Sequence, residues 1–565
     1  MSDPIDPGEE KHALVGLNVF LFVVFVVVCL VIGYVLRVRR LMWLPESGAH
    51  MLFGLVIGGF LTLLGPDEVE YITFDPELFF FVLLPPIIFE AGFTLKQREF
   101  FGNIGAILSF AVLGTLVSTL VIGLCIYVLA LAHVVPLDRE SPLESLLFGA
   151  LISAVDPVAT LAILGNEHVN ADRTLRALVF GESVLNDAVS IVLFNSLKKF
   201  GEQRERAKGD DDYEAVSMGN AVSIIFWDFW GVSLGSLLVG VGLALCCSFL
   251  LRRANLHHDP AYEFAVFILC VFGTYSLAET LEFSGVISLF CCGIVMSHYA
   301  LHSMSRIARN ATKHIFKTFA MLAETFVFVY LGITAGISFA PSQHMVWSVM
   351  FILFTILLCF ASRACHIFPF SMLLNLRRRK RITRPMQVAM WFSGLRGAVA
   401  FALALNVPAF MVGRGAIVTT TLSVVFFTTL VLGGLTERML EKLQLKNTPV
   451  SLDGNADSDD SDVFFDSSNR FVQWWLRLDR DVLRPMFGGG DNSRNDDDDD
   501  IDEDDGNDTA LPVSHRSSPV SARFSINTDD SDSEVALVDR RSSPRNIHDD
   551  HTEIDMSEIS IPPAP

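Results

Sequence analysis

At 565 residues, with 51% hydrophobic content and a mean hydropathy of +0.45, the chain is too apolar for a soluble enzyme of its size. Its net charge of −21 belongs to one end: from Thr436 onward 31 acidic residues face 13 basic ones, which leaves −3 for everything before. An acidic tail on an apolar body argues against a nucleic-acid partner, and nine cysteines confined to apolar stretches argue against a disulfide framework or a zinc site.

A bilayer-spanning helix needs about 20 mostly apolar residues. By that measure the chain offers thirteen spans, at about 14–36, 49–65, 76–94, 103–132, 143–165, 174–198, 221–251, 261–281, 284–300, 314–338, 344–369, 386–407 and 410–434. The first follows an acidic stretch and precedes Arg37, Arg39 and Arg40. A secretory signal has a basic start and a shorter apolar run, so this is read as a retained helix with residues 1–13 outside or in a lumen. Cytosolic loops then carry the basic residues, from Lys96/Arg98 through Arg252/Arg253 to residues 377–381, and the other side carries Asp67, Glu68, Glu70, Asp138, Glu140 and Glu144. One loop departs from the pattern: 198–214 has mixed charge and falls outside. An odd number of spans puts the tail in the cytosol.

Several spans are interrupted. Pro85 and Pro86 sit in the third, Pro157 follows Asp156 in the fifth, and Gly394-Leu395-Arg396-Gly397 breaks the twelfth. Proline removes a backbone donor and disfavours helix in the residue before it. Broken backbone at membrane depth is tolerated where it is buried in protein or lines a cavity. Spans five and twelve are seven apart, as are three and ten, and the last two share a Phe-rich run ending in Ala-Gly (Ala91-Gly92 and Ala335-Gly336). Such spacing predicts two inverted repeats with two broken, crossing helices around a midplane site.

The carboxylates at the breaks carry the chemistry. Ionised groups at mid-bilayer are costly and mark ion pathways. Residues four apart on a helix share a face, which sets Ser183 with Asp187 and Glu182 with Asn186. Hard cations take oxygen ligands from carboxylates, hydroxyls and backbone carbonyls. Asp156, Asp187, Ser183 and a carbonyl freed near Pro157, such as that of Val155, supply such a set for Na⁺ or K⁺. Two carboxylates desolvated together do not both hold charge without a cation, so proton and metal ion compete for the same oxygens. The plainer alternative is a polar pair satisfied by neighbouring helices. An arginine inside an apolar helix stays charged and needs an anion, so Arg396 is expected to pair with Glu182. Asn186 beside Asp187 does not titrate, which favours one proton per cation and no net charge movement. For Glu90, Glu279 and Glu324, cavity lining, pH sensing and structural pairing stay open, with Arg363 as a partner for Glu324. His133, His298 and His366 are read as solvated or packing residues near span ends.

The segments 80–92 (Phe80-Phe81-Val82-Leu83-Leu84-Pro85-Pro86 onward), 153–160 (Ser153-Ala154-Val155-Asp156-Pro157-Val158-Ala159-Thr160), 180–187 and Gly394-Leu395-Arg396-Gly397-Ala398 resemble the sodium/proton exchangers of the cation:proton antiporter-1 family, and the similarity runs over roughly 14–445. The resemblance implies an all-α membrane protein of the NhaA-like antiporter fold. It also implies a homodimer in the lipid bilayer, with a dimerisation part and a core that moves in an elevator-like way. Its cation site would map onto Asp156, Ser183, Asp187 and the Val155 carbonyl, with Glu182 bridging to Arg396 and with Asn186, Pro157 and Thr160 in support. Phe81, Leu83 and Leu84 resemble the region linked to amiloride-type inhibitors. Phe89-Glu90-Ala91-Gly92-Phe93 and residues 476–487 look most like the Golgi and endosomal members, so an endomembrane location and K⁺ as well as Na⁺ are expected, with the plasma membrane as alternative.

The chain is thus divided into an N-terminus (1–13), a transmembrane exchanger domain (14–435), a cytosolic juxtamembrane and amphipathic segment (436–487) and a disordered acidic tail (488–565). Residues 471–487 are aromatic and basic and are expected on the cytosolic leaflet or folded against the transporter. Two Arg-Ser-Ser-Pro sequences, at 516–519 and 541–544, are candidate phosphorylation sites, where a cytosolic regulatory protein with a basic surface would act. The expected activity is electroneutral exchange of Na⁺ or K⁺ for H⁺, with no cofactor. A passive cation channel is the alternative, and the sequence offers no nucleophile–base set or metal motif for an enzyme.

Overall fold

The computed structural model describes residues 7–39, 44–64, 77, 79–156, 172–207, 218–254, 259–338, 346–376, 378, 381–443, 481 and 483–487. The chain divides into two units, Met1–Asn492 and Ser493–Pro565. Every described residue lies in the first, and all its regular elements are helical.

Helices stand at all thirteen expected spans. They are α1 (Pro7–Arg39), α2 (Glu46–Leu64), α3 (Phe79–Phe93), α4 (Ile104–Leu131), α5 (Leu143–Ile152), α6 (Arg173–Ala207) and α7 (Met218–Ala254). After these come α8 (Pro260–Thr280), α9 (Gly285–His298), α10 (Arg306–Ser338), α11 (Val349–Asn375), α12 in two pieces (Arg384–Phe392 and Ala398–Leu405) and α13 (Arg414–Lys442). Among the described residues eight of these are long and apolar enough to cross a bilayer, and α3, α5 and α9 are shorter apolar helices. The second half of the fifth span, with Pro157 and Thr160, lies outside the described residues, as does most of 471–487.

Burial separates lining helices from central ones. In α6, 89% of the most apolar 18-residue stretch is buried, against 33% in α7, so α6 is the hub and α7 faces outward. Leu234 and Leu238 of α7 and Leu353 and Leu357 of α11 remain exposed, as side chains meant for lipid do. α6 also runs nine residues past its expected end. That accounts for the mixed-charge stretch after 198: Lys199 pairs with Glu282 at 2.9 Å and Arg204 donates to Ser141 Oγ at 2.8 Å.

The breaks take different local forms. In α3 a π-helical turn, Phe79–Leu83, runs directly into α-helix at Leu84, and Pro85 and Pro86, which bring no N–H, leave carbonyls of that preceding turn without a helical donor. α5 stops at Ile152 and 154–156 leave the helix; α12 stops at Phe392 and resumes at Ala398. The two interruptions touch: Asp156 N donates to Leu395 O at 2.9 Å.

Helix pairing also repeats across the two halves. Gly92 of α3 lies so close to Phe290 O of α9 that a Cβ would not fit, and Gly336 of α10 stands in the same relation to the backbone of α2 at Gly58. Shifting by seven spans turns the pair α3–α9 into α10–α2, which is what two interleaved inverted repeats require. Without a hydrophobic driving force between helices in lipid, close backbone approach of this kind supplies the packing.

Candidate functional site

Each broken helix ends in carbonyls without helical partners, and in each case a buried arginine takes them. Arg396, 1% exposed, donates through Nη1 to Ser153 O at 2.8 Å and Ala154 O at 2.9 Å, the end of α5. Arg363 of α11, 3% exposed, donates through Nε and Nη2 to Met390 O at 2.9 and 2.7 Å, near the end of the first piece of α12. α13 holds the second break from outside, since Arg396 N donates to Thr428 Oγ1 at 3.1 Å.

The expected ion pair is corrected here. Glu182 is fully buried, and its direct partner is Arg363, with Nη1 3.2 Å from Oε1; His366 Nε2 stands at 3.9 Å. Arg396 instead gives its Nη1 to the α5 carbonyls, and its Nε has no hydrogen-bond partner. Arg363 therefore does not serve Glu324. His366 is no span-end residue either, but sits buried within α11 with Nδ1 on Ser362 O at 3.0 Å. The signal available in the sequence was Arg363 itself, a cation in an apolar run that needed an anion.

Asn186 ties the first break to two helices. Its Oδ1 accepts from Val155 N at 3.1 Å, and its Nδ2 donates to Thr115 Oγ1 of α4 at 2.8 Å. Thr115 in turn donates to Ala111 O. The amide thus needs both a donor and an acceptor face, which a carboxylate does not have.

A cavity of about 60 Å³ opens beside the breaks. Its lining includes Asp156, Asp187 and Glu324, with Ala154, Leu84 and Gly397. Asp187 is 6% exposed, and its Oδ1 has no hydrogen-bond partner. Glycine at 397 is a matter of space: a Cβ there would overlap the Asp156 carboxylate.

The two expected carboxylates thus meet at one cavity. Ser183 is buried on the same face of α6 as Asp187, one turn earlier, but is not part of that lining, and Glu182 turns away toward Arg363. Val155 lies buried in the break, its N–H committed to Asn186. Of the inhibitor-region residues only Leu84 reaches the cavity; Leu83 is buried elsewhere, and Phe81 is half exposed, edge-on to Tyr275. Among the described residues no three carboxylate, imidazole or thiol groups converge on one ion. Sequence reasoning left Glu324 open, and the structure makes it a cavity residue. Glu279 accepts from Gly285 N at 3.0 Å at the start of α9, and Glu90 takes the Thr94 hydroxyl at 3.3 Å.

Comparison with known proteins shows the family of the chain. The family profile described as sodium/hydrogen exchanger, transmembrane, matches residues 24–442. Sodium/hydrogen exchanger 8 of Rattus norvegicus is 37% identical over 456 residues, covering 79% of this chain and 76% of its own length. Sodium/hydrogen exchanger 9 of Homo sapiens is 39% identical over 437 residues, 75% of this chain and 65% of its own. Sodium/hydrogen exchanger 5 of Arabidopsis thaliana is 36% identical over 482 residues, 83% and 87%. Among solved structures, the sodium proton antiporter MjNhaP1 of Methanocaldococcus jannaschii at pH 8 superposes with a TM-score of 0.54 at 18% identity, over 76% of this chain and 100% of that one, a likeness of fold. By its profile match and by relatives aligned over three quarters of its length, this multi-pass membrane protein belongs to the sodium/hydrogen exchanger family.

Proposed function

We propose that the chain exchanges Na⁺ for H⁺ across a membrane, one for one, and that Asp156 and Asp187 form the site for which the two ions compete. The observation that carries this reading is the Asp187 carboxylate, with one oxygen lacking any protein partner, facing a cavity it shares with Asp156. A buried carboxylate needs a counter-charge or a proton, and here the cargo supplies one or the other. The Ser183 hydroxyl, one turn before Asp187, and the Val155 carbonyl, which Arg396 does not take, complete the shell with water; Pro157 and Thr160, expected in support, lie outside the described residues. Glu182 acts structurally through Arg363. Asn186, committed on both faces to hydrogen bonds, adds no second proton, so exchange moves no net charge. K⁺ is a second cargo, and loading permits an elevator-like shift that exposes the site to either side in turn. The functional unit is a homodimer of the Golgi or endosomal membrane with its tail in the cytosol, open to a regulatory protein there.

Purified chain in proteoliposomes tests this. An imposed Na⁺ gradient should move protons at the same rate with and without a clamped membrane potential, and Asp187→Asn should abolish that movement. Sodium flux that continues with no opposing proton flux would instead describe a passive channel.

A further inference from the structure

Glu324 has no role in the site as described, yet it lines the same cavity. It stands midway along α10, and among the described residues no cation or hydrogen-bond donor is paired with its carboxylate. The other ionisable side chains lining that cavity, Asp156 and Asp187, are both acids. Arg363, the one arginine expected for it, is occupied by Glu182 and Met390. A carboxylate held in apolar surroundings with acids for neighbours is expensive, and Gln or Leu would fill the same wall at less cost.

Two further facts decide what it does. The acids of the cavity do not converge on one ion among the described residues, so Glu324 is not a third ligand in the same shell. It is also carried by a different helix: Asp156 and Asp187 belong to the break and to α6, whereas Glu324 rides on α10, locked to α2 through Gly332 and Gly336. The cavity runs from there along α3 as far as Ala91, next to Glu90. Oxygen-lined stations in series let a desolvated cation advance without passing through bare hydrocarbon.

We propose that Glu324 is a relay carboxylate, a station on the α10 side of the cavity that holds the incoming cation before Asp156 and Asp187 take it, and so sets the apparent affinity for Na⁺. This rests on the exchange reading above. A negative station on the route raises local cation concentration and entry rate, so its loss appears in KM before it appears in the maximal rate.

The experiment compares Glu324→Gln, Glu324→Asp and Asp187→Asn with the parent, each as full-length chain in proteoliposomes, with proton flux followed against Na⁺ concentration. Glu324→Gln should raise KM for Na⁺ by about three- to tenfold while the maximal rate falls by less, and Glu324→Asp should restore most of the affinity. A Glu324→Gln KM equal to the parent's, whatever the maximal rate, overturns the relay. Should that variant give too little folded protein for flux, Na⁺-dependent thermal stabilisation of Glu324→Ala and parent in detergent decides: a midpoint shifted to higher Na⁺ supports the station, and an unshifted one rejects it. If Asp187→Asn still exchanges, the underlying site reading fails. If Asp187→Asn is inactive and the Glu324 variants bind Na⁺ as the parent does, only the relay fails.

Discussion

A guanidinium buried in a membrane protein needs an anion, and its planar fork is well suited to satisfy backbone carbonyls at the same time. Arg363 does both, holding Glu182 with one nitrogen and Met390 O with two. Removing one partner of such a pair strands the other, which typically costs about 3–5 kcal/mol, whereas replacing both is often close to neutral. Arg363→Met is therefore expected to lower stability by about that amount in detergent unfolding, and Glu182→Gln in the same chain should recover part of it. Failure of the double variant to recover any stability would mean that the carbonyl contacts to α12, not the charge pair, dominate. Asn186 poses the complementary case: Asn186→Asp keeps the shape but removes the donor to Thr115 and places a second acid beside Asp187. A flux assay with the membrane potential free and then clamped should detect charge movement in that variant if any exchange survives.

At the scale of elements, apolar length located the helices, and proline and glycine located the breaks, because both signals are local. Asp156 and Asp187 were legible for the same reason: a carboxylate in an apolar run stands out wherever it packs. Pairing was not legible. Arg363 and Arg396 look alike in sequence, and only the arrangement of α5, α6, α11 and α12 decides which one faces Glu182 and which one faces the carbonyls of α5. Where α12 breaks, Gly397 leaves room for the Asp156 carboxylate. Gly397→Ala would push the carboxylate away from the cavity, and a displacement of about 1 Å at a reacting group costs on the order of a hundredfold. Exchange by Gly397→Ala should accordingly fall by well over about tenfold with the folded protein retained. Gly105→Ala in α4, where nothing lies within 4 Å of the added carbon, is the matched control and should transport as the parent does.

Across the whole molecule, glycines bring backbones close in the pairs α2–α10, α3–α9 and α7–α9 on one side, and another set of helices, α5, α6 and α12 among them, surrounds the two breaks. Under the elevator-like motion proposed above, the second group slides against the first, and contacts bridging them resist the slide. Two bridges leave the far end of α6: Ser196 donates to Asp228 of α7 at 2.6 Å, and Lys199 pairs with Glu282 in the turn between α8 and α9. Hydrogen bonding and charge from Lys199 hold the Glu282 carboxyl below its ordinary range. A carboxylate whose folded value is depressed keeps its pairing at all pH above that value and loses it only as pH falls through it. Since ordinary glutamate titrates near about 4.3, acidifying that side from about 7 to about 5 leaves the bridge intact. Salt is a different matter, because exposed pairs are screened. Lys199→Glu, which sets two acids against each other, is expected to speed turnover a few-fold with KM for Na⁺ unchanged, and the swap Lys199→Glu with Glu282→Lys should return the parent rate. Proteoliposome flux at both pH values and at low and high ionic strength measures all of this. An accelerated turnover that vanished at pH 5 would mean that another titrating group, and not this bridge, governs the slide.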